Sequence, residues 1–132
     1  MDKRESAFLK IFEAEFNADI LMDETDESSA TKTAAAIFEK LEIIDEKIKS
    51  GLKSWDIKRI SRVAKAALRL CLYEISFKNV PHGASVNEAV NLTKKYAGDD
   101  EADFVNGVLR TIFKSEVRNG AEKPMDNEGE ND

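Results

Sequence analysis

The sequence predicts an all-α protein, a compact bundle of five to seven helices, on three observations. Apolar residues recur at spacings of three and four along most of the 132 residues, the period of helices with one buried face. No stretch alternates apolar and polar residues strongly enough to outcompete helix as a strand. Only two prolines interrupt the chain, and a content of 42% hydrophobic and 35% charged residues suits helices half buried and half solvated.

Residues 2–17 form the first predicted helix, with Ala7, Phe8, Ile11, Phe12 and Phe16 on one side and Asp2 placed to cap it. Lys3, Arg4 and Lys10 lie off that face. Residues 18–29 are polar, acidic and aperiodic, and predict a loop. Ser28 or Ser29 caps a long helix running to about Ser50 and ended by Gly51, with Ala34, Ile37, Phe38, Leu41, Ile44 and Ile48 as its buried stripe. Ser54 or Asp56 opens the next helix, which continues to about Phe77 before Asn79 and Pro81 stop it.

That helix keeps Ile60, Ala64, Ala67, Cys71 and Ile75 on its core face, and Leu68, Leu70 and Leu72 widen it. A helix apolar over so much of its circumference belongs at the centre, packed on several sides. Ser85 and Glu88 then form an S-x-x-E capping box for a helix whose face is Val86, Ala89, Val90, Thr93 and Ala97. Gly98 stops it, and Asp99 or Asp100 caps the last helix, with its stripe of Phe104, Val105, Val108, Leu109, Ile112 and Phe113. Asn106-Gly107 in its middle is a poor choice for a plain core helix, and predicts a structural role in which Gly107 lets another helix or a ligand come close. Residues 1–118 thus form one domain, and 119–132 are expected to be a disordered acidic tail.

The net charge of -6 is unevenly spread. Asp19, Asp23, Glu24, Asp26 and Glu27 crowd one short segment, and five more acids sit after Arg118. Without those two stretches the folded body carries about +3. Between Lys47 and Arg69 eight basic residues face one acid, and Lys58, Arg62, Lys65 and Arg69 fall on one helical stripe. Such a stripe neutralises phosphates, meets an acidic partner, or simply solvates the helix. Arg69, between two buried leucines, can instead turn inward to a carboxylate such as Glu74.

Catalysis finds no support. The single histidine, His82, sits in a turn between Pro81 and Gly83, without ligand-spaced neighbours. Asp99, Asp100, Glu101 and Asp103 lack the alternation of a calcium loop and are explained by helix capping and the helix dipole. No catalytic residue, metal or cofactor is expected. A lone cysteine and a charged amino terminus predict a reducing, cytoplasmic setting, and no apolar run approaches the roughly 18–20 residues of a membrane span.

VNEAVNLTKKYA followed by FVNGVL resembles the C-terminal signature of the NusB family of bacterial transcription antitermination factors. RVAKAALRLCLYEISFKNVP resembles the family's central helix and the turn after it. Residues 56–113 fit without a gap, and the match extends more weakly to Arg4-Glu5-Ser6-Ala7. The resemblance implies two small helical subdomains, the first helices packing against the later ones. It also implies a factor that binds single-stranded boxA-type RNA of the rRNA leader together with NusE, a small-subunit ribosomal protein, within the transcription elongation complex.

By the same resemblance, the arginine-rich RNA-binding run with which the family begins is reduced here to Lys3-Arg4, Arg4 matching one of its arginines, and Lys10 adds a further amino-terminal cation to the RNA-binding set. Phe104 matches an aromatic at the RNA surface, although its spacing equally fits the core stripe. Phe12 and Glu74 match positions that relatives use for NusE, and Phe12 also fits the core of the first helix. Residues 18–29 replace a further helix usual in the family. Two alternatives stand beside this reading. One is a protein-interaction module that has lost its RNA contact; the other is a regulatory domain like the NusB-like domains of rRNA cytosine methyltransferases, against which the short acidic tail argues.

Overall fold

The computed structural model describes residues 2–118, and every regular element among them is helical. Six α-helices follow one another: α1 (Lys3–Phe16), α2 (Ser29–Glu39), α3 (Leu41–Leu52), α4 (Arg62–Phe77), α5 (His82–Ala97) and α6 (Asp99–Arg118). Short 3-10 turns lie at Ala18–Met22 and Ile57–Arg59. The expectation for residues 119–132 falls outside the described residues.

Helix α4 is central, as its wide apolar surface predicts: it packs on α1, α2, α3, α5 and α6. Ala64, Ala66, Ala67, Leu68, Leu70, Cys71, Leu72 and Tyr73 are all buried along it. α1 and α2 pair with each other and lie against the later helices chiefly along α4, while α5 packs on α6 and α6 on α3. One continuous core joins them, with Phe8, Ile11, Ile37, Ile44, Ile48, Leu68, Leu109 and Ile112 sealed from solvent.

Several ends are where local chemistry places them. The Asp2 carboxylate accepts the Glu5 N–H at 2.7 Å and caps α1. Gly98 ends α5 at φ +95°, a conformation that favours glycine, and its N–H donates to the Lys94 carbonyl. Asp99 and Asp100, expected as caps, instead lie inside α6, in its first turn with Glu101, where the helix dipole favours them.

Other boundaries differ from the sequence expectation. Residues 18–29 contain a 3-10 turn, too short to show a period. The rest of that segment is tied by side chains, Thr25 bonding Asp23, and Ser28 and Thr31 bonding Asp26. The expected long helix from Ser28 or Ser29 to Ser50 is broken at Lys40, whose backbone leaves the helical region. Its two halves pack on different partners, α2 on α1 and α3 on α6.

Gly51 does not end a helix. It is buried inside α3, which runs to Leu52 and turns at Lys53 with φ +57°. Asp56 caps the 3-10 turn at Ile57–Arg59, and Ser61 opens α4 by accepting the Ala64 N–H at 3.0 Å. Ser85 is no cap either: α5 starts a turn earlier, after Pro81, whose φ of -58° already suits helix entry. Phe16, expected in the core, is 58% exposed.

Candidate nucleic-acid interface

The amino-terminal cations begin on α1, where the Asp2 cap fixes the first turn against α4 and α5. Arg4 Nε donates to Glu74 Oε2 at 2.9 Å, and Ser85 donates to the other Glu74 oxygen at 2.7 Å. The hydrogen bond that Arg4 donates to Glu74 raises the Arg4 pKa above its ordinary value. Arg4 thus spends one donor of its guanidinium on Glu74, and the terminal nitrogens keep the rest. Next to it Glu5 accepts from Lys95 at 2.7 Å and from the Tyr96 hydroxyl; the Lys95 bond, then the Tyr96 bond, lower the Glu5 pKa. A cleft of about 420 Å³ opens here, with Lys3, Arg4, Thr33, Tyr73, Glu74 and Lys78 among its walls.

Of the three cations, Lys3 is exposed without an ion pair among the described residues. Lys10 lies 3.6 Å from Glu13 and 3.8 Å from Asp26, so the acidic segment partly neutralises it. Phe12 is half-buried and meets Phe16 edge-on, and the Arg62 guanidinium lies 4.4 Å from the centre of the Phe16 ring. The structure therefore brings Arg4 and Glu74 together and leaves Phe12 and Lys10 further along α1.

The basic stripe of α4 is not one solvated surface. Lys65 bonds Glu15 at 3.1 Å. Arg69 turns inward, as its leucine neighbours suggest, but its partners are Asp45 and Glu15 rather than Glu74. Residues five apart on a helix point roughly 140° from each other, so Glu74 faces a different neighbour. Burial pushes the Glu15 pKa up, but the hydrogen bonds from Arg69 and Lys65 outweigh it and the net shift is downward.

Phe104 sits elsewhere, half-buried on the first turns of α6. The close crossing of α3 on α6 at Gly51 and the turn at Lys53 carry the chain back so that Trp55 meets Phe104 edge-on, ring centres 5.8 Å apart. Trp55 is 57% exposed. Beside the two rings lies a cleft of about 480 Å³, walled by Lys53, Trp55, Gly107, Arg110 and Lys114. It shares no lining residue with the Arg4 cleft. A Cβ at Gly107 would meet nothing within 4 Å, so no helix approaches there and the glycine leaves an open wall. Asn106 makes no side-chain hydrogen bond among the described residues, so the structural role expected of this pair is not seen.

Sequence reasoning missed Trp55, Lys53, Arg110 and Lys114. Two signals could have found them: Trp55 is the only tryptophan, and Gly107, Arg110 and Lys114 follow each other at helical steps of three and four. Among the described residues no group of three or more His, Cys, Asp or Glu is arranged to hold a metal. No helix among them is long and apolar enough to cross a membrane.

These features define a small helical scaffold that displays cations and half-exposed rings around a sealed core. The model of the NusB family matches residues 1–114, and the chain belongs to that family. A transcription antitermination protein NusB of Clostridium botulinum is 54% identical over 74 residues, covering 55% of this chain and 52% of its own length. The chain thus spans about half the length of that relative. The NusB of Nitratiruptor is 40% identical over 112 residues, 82% of this chain and 80% of its own. Among solved structures, one of the antitermination factors NusB and NusE in complex with double-stranded RNA superposes with a TM-score of 0.70 at 28% identity, covering 86% of this chain and 94% of that one.

Proposed function

We propose that this protein is a transcription antitermination factor that binds boxA-type rRNA leader RNA together with NusE in the transcription elongation complex. The observation that carries the reading is family membership over residues 1–114. A similar chain seen with NusE and RNA supports the choice of partners. On this reading Lys3, Arg4 and Lys10 supply charge to the RNA, Phe104 supplies a ring, and Phe12 and Glu74 face NusE. No bond is made or broken: the chain offers a preformed surface, and holding RNA and NusE in one complex raises the effective affinity for each.

A second reading, a protein-interaction module without RNA contact, draws on the commitment of Lys10 to nearby acids and of Arg4 to Glu74. RNA affinity measured against salt, with and without NusE, separates the two. Single-stranded RNA gives a slope of log K on log salt of about -0.7 per neutralised phosphate. A clearly negative slope that weakens in a Lys3→Ala/Arg4→Ala double variant supports the first reading. A slope near zero supports the second.

A further inference from the structure

We infer that the segment between α1 and α2 is an autoinhibitory strap: its Asp26 holds Lys10, and single-stranded RNA must displace that carboxylate to use the lysine. The inference rests on the RNA-binding reading above and adds to it a restraint carried by the chain itself. Lys10 stands seven residues after Lys3, two turns and about 10 Å along the same face of α1. At the near end of this strip Lys3 is exposed, without an ion pair among the described residues. At the far end Lys10 lies 3.8 Å from Asp26 and 3.6 Å from Glu13. The strip is open where it starts and closed where it ends.

The fold holds Asp26 in that place. Leu21, in the 3-10 turn of the segment, packs against the core, and the Asp26 N–H donates to the Asp23 carbonyl at 3.1 Å. One oxygen of the Asp26 carboxylate accepts the Ser28 N–H at 3.0 Å, and the other accepts the Thr31 hydroxyl at 2.7 Å. The Thr31 bond, then the Ser28 bonds, hold this carboxyl down at about 2, so it is charged near neutral pH. Asp19, Asp23, Glu24 and Glu27 are exposed and form no ion pair among the described residues. Their field repels phosphates over about 8 Å at physiological salt.

The contact is also one that can open. When a phosphate takes Lys10, Asp26 keeps both of its bonds to the start of α2, so no helix has to unravel. The two side chains are 23% and 28% exposed, against 7% for Arg69 in its ion pairs. A part-exposed pair is weak, and phosphate competes with it.

The test titrates the full chain and its variants into an end-labelled boxA-type RNA of about 12 nucleotides, following anisotropy between about 50 and 200 mM salt. Asp26→Asn keeps an acceptor for the Ser28 N–H and removes the charge. It is expected to tighten binding roughly two- to fivefold at low salt and to steepen the salt slope by up to about 0.7. In a Lys10→Ala background the same change is expected to lose most of its effect. Glu42→Gln, at an exposed acid of α3, controls for net charge and is expected to do less. Glu24→Gln/Glu27→Gln removes two exposed acids without side-chain bonds among the described residues, and is expected to give a gain that fades with salt. It carries the test if circular dichroism shows that Asp26→Asn has lost helix.

Should the parent bind RNA while Asp26→Asn, or the Glu24/Glu27 pair in its stead, binds no tighter, the strap is overturned and the RNA reading stands. Should Glu42→Gln tighten binding as much, or the gain survive intact in Lys10→Ala, net charge alone is at work and the inference is wrong. Should neither parent nor variants bind RNA at low salt, the RNA reading itself falls and takes this inference with it.

Discussion

Arg69 is the residue on which most of the buried charge converges. Its side chain is 7% exposed and bonds Asp45 through two nitrogens and Glu15 through a third. Removing Arg69 leaves the largely covered Asp45 carboxylate without its partner, while Glu15 keeps Lys65, and breaking such a pair costs about 3–5 kcal/mol. Arg69→Ala is therefore expected to lower stability by that amount in urea unfolding, whereas Arg62→Ala, whose guanidinium lies on the exposed Phe16 ring, changes it little. The same cluster sets an acid limb. The Glu15 carboxyl titrates below its ordinary value of 4.5, so its stabilisation is complete at neutral pH and fades as pH falls below that value. Glu15→Gln is expected to flatten the loss of stability with acid in this range. Cys71 gives a third residue-scale expectation. Burial, opposed only in part by the Ser85 hydroxyl, pushes its thiol pKa up to about 12, so a thiol reagent at neutral pH is expected to label it only after unfolding.

At the scale of helices, the two glycines nearest the Trp55 cleft make opposite predictions. A Cβ on Gly51 would lie 2.6 Å from Ile112 Cγ1 and 2.7 Å from the Val108 carbonyl, and that carbonyl cannot move without bending α6. Gly51→Ala is expected to destabilise by about 1–3 kcal/mol. Gly107→Ala meets open space in a helix interior and is expected to stabilise by about 1 kcal/mol, raising the thermal midpoint. Signals carried within one segment were legible in the sequence, among them the Asp2 cap, the Gly98 stop and the wide apolar surface of α4. What escaped was set by packing between distant segments. Lys40 breaks a helix with no glycine or proline to mark it, because α2 and α3 lie on different partners. Ser85 matches a capping pattern, yet α5 begins earlier and its hydroxyl serves Glu74 instead. Gly51 looks like a stop because glycine is a stop at so many helix ends, and only the presence of α6 reveals its use. The Trp55 cleft joins a loop to a helix far along the chain, a meeting that no local spacing encodes.

Taken whole, the molecule presents two cationic clefts without a common lining residue, one at the start of α1 and one along α6. The first also contains a junction between the two proposed partners: Arg4, assigned to RNA, is 2.9 Å from Glu74, assigned to NusE. A partner that draws on the Glu74 carboxylate changes what holds the Arg4 guanidinium, and phosphate at Arg4 changes what holds Glu74. Binding free energies coupled in this way are reciprocal, typically a factor of about 5–150 in affinity. Calorimetric titration of NusE into the chain, with and without boxA-type RNA, is expected to give a factor different from one. Glu74→Gln keeps the shape and the Ser85 bond but removes the charge that pairs with Arg4, so in that variant the factor is expected to move toward one. An unchanged factor would show that the coupling bypasses this ion pair. Arg4→Ala, which removes the other half of the same contact, is expected to shift the factor in the same direction, and the double variant to add nothing further. Such non-additivity is the mark of two residues acting through one contact.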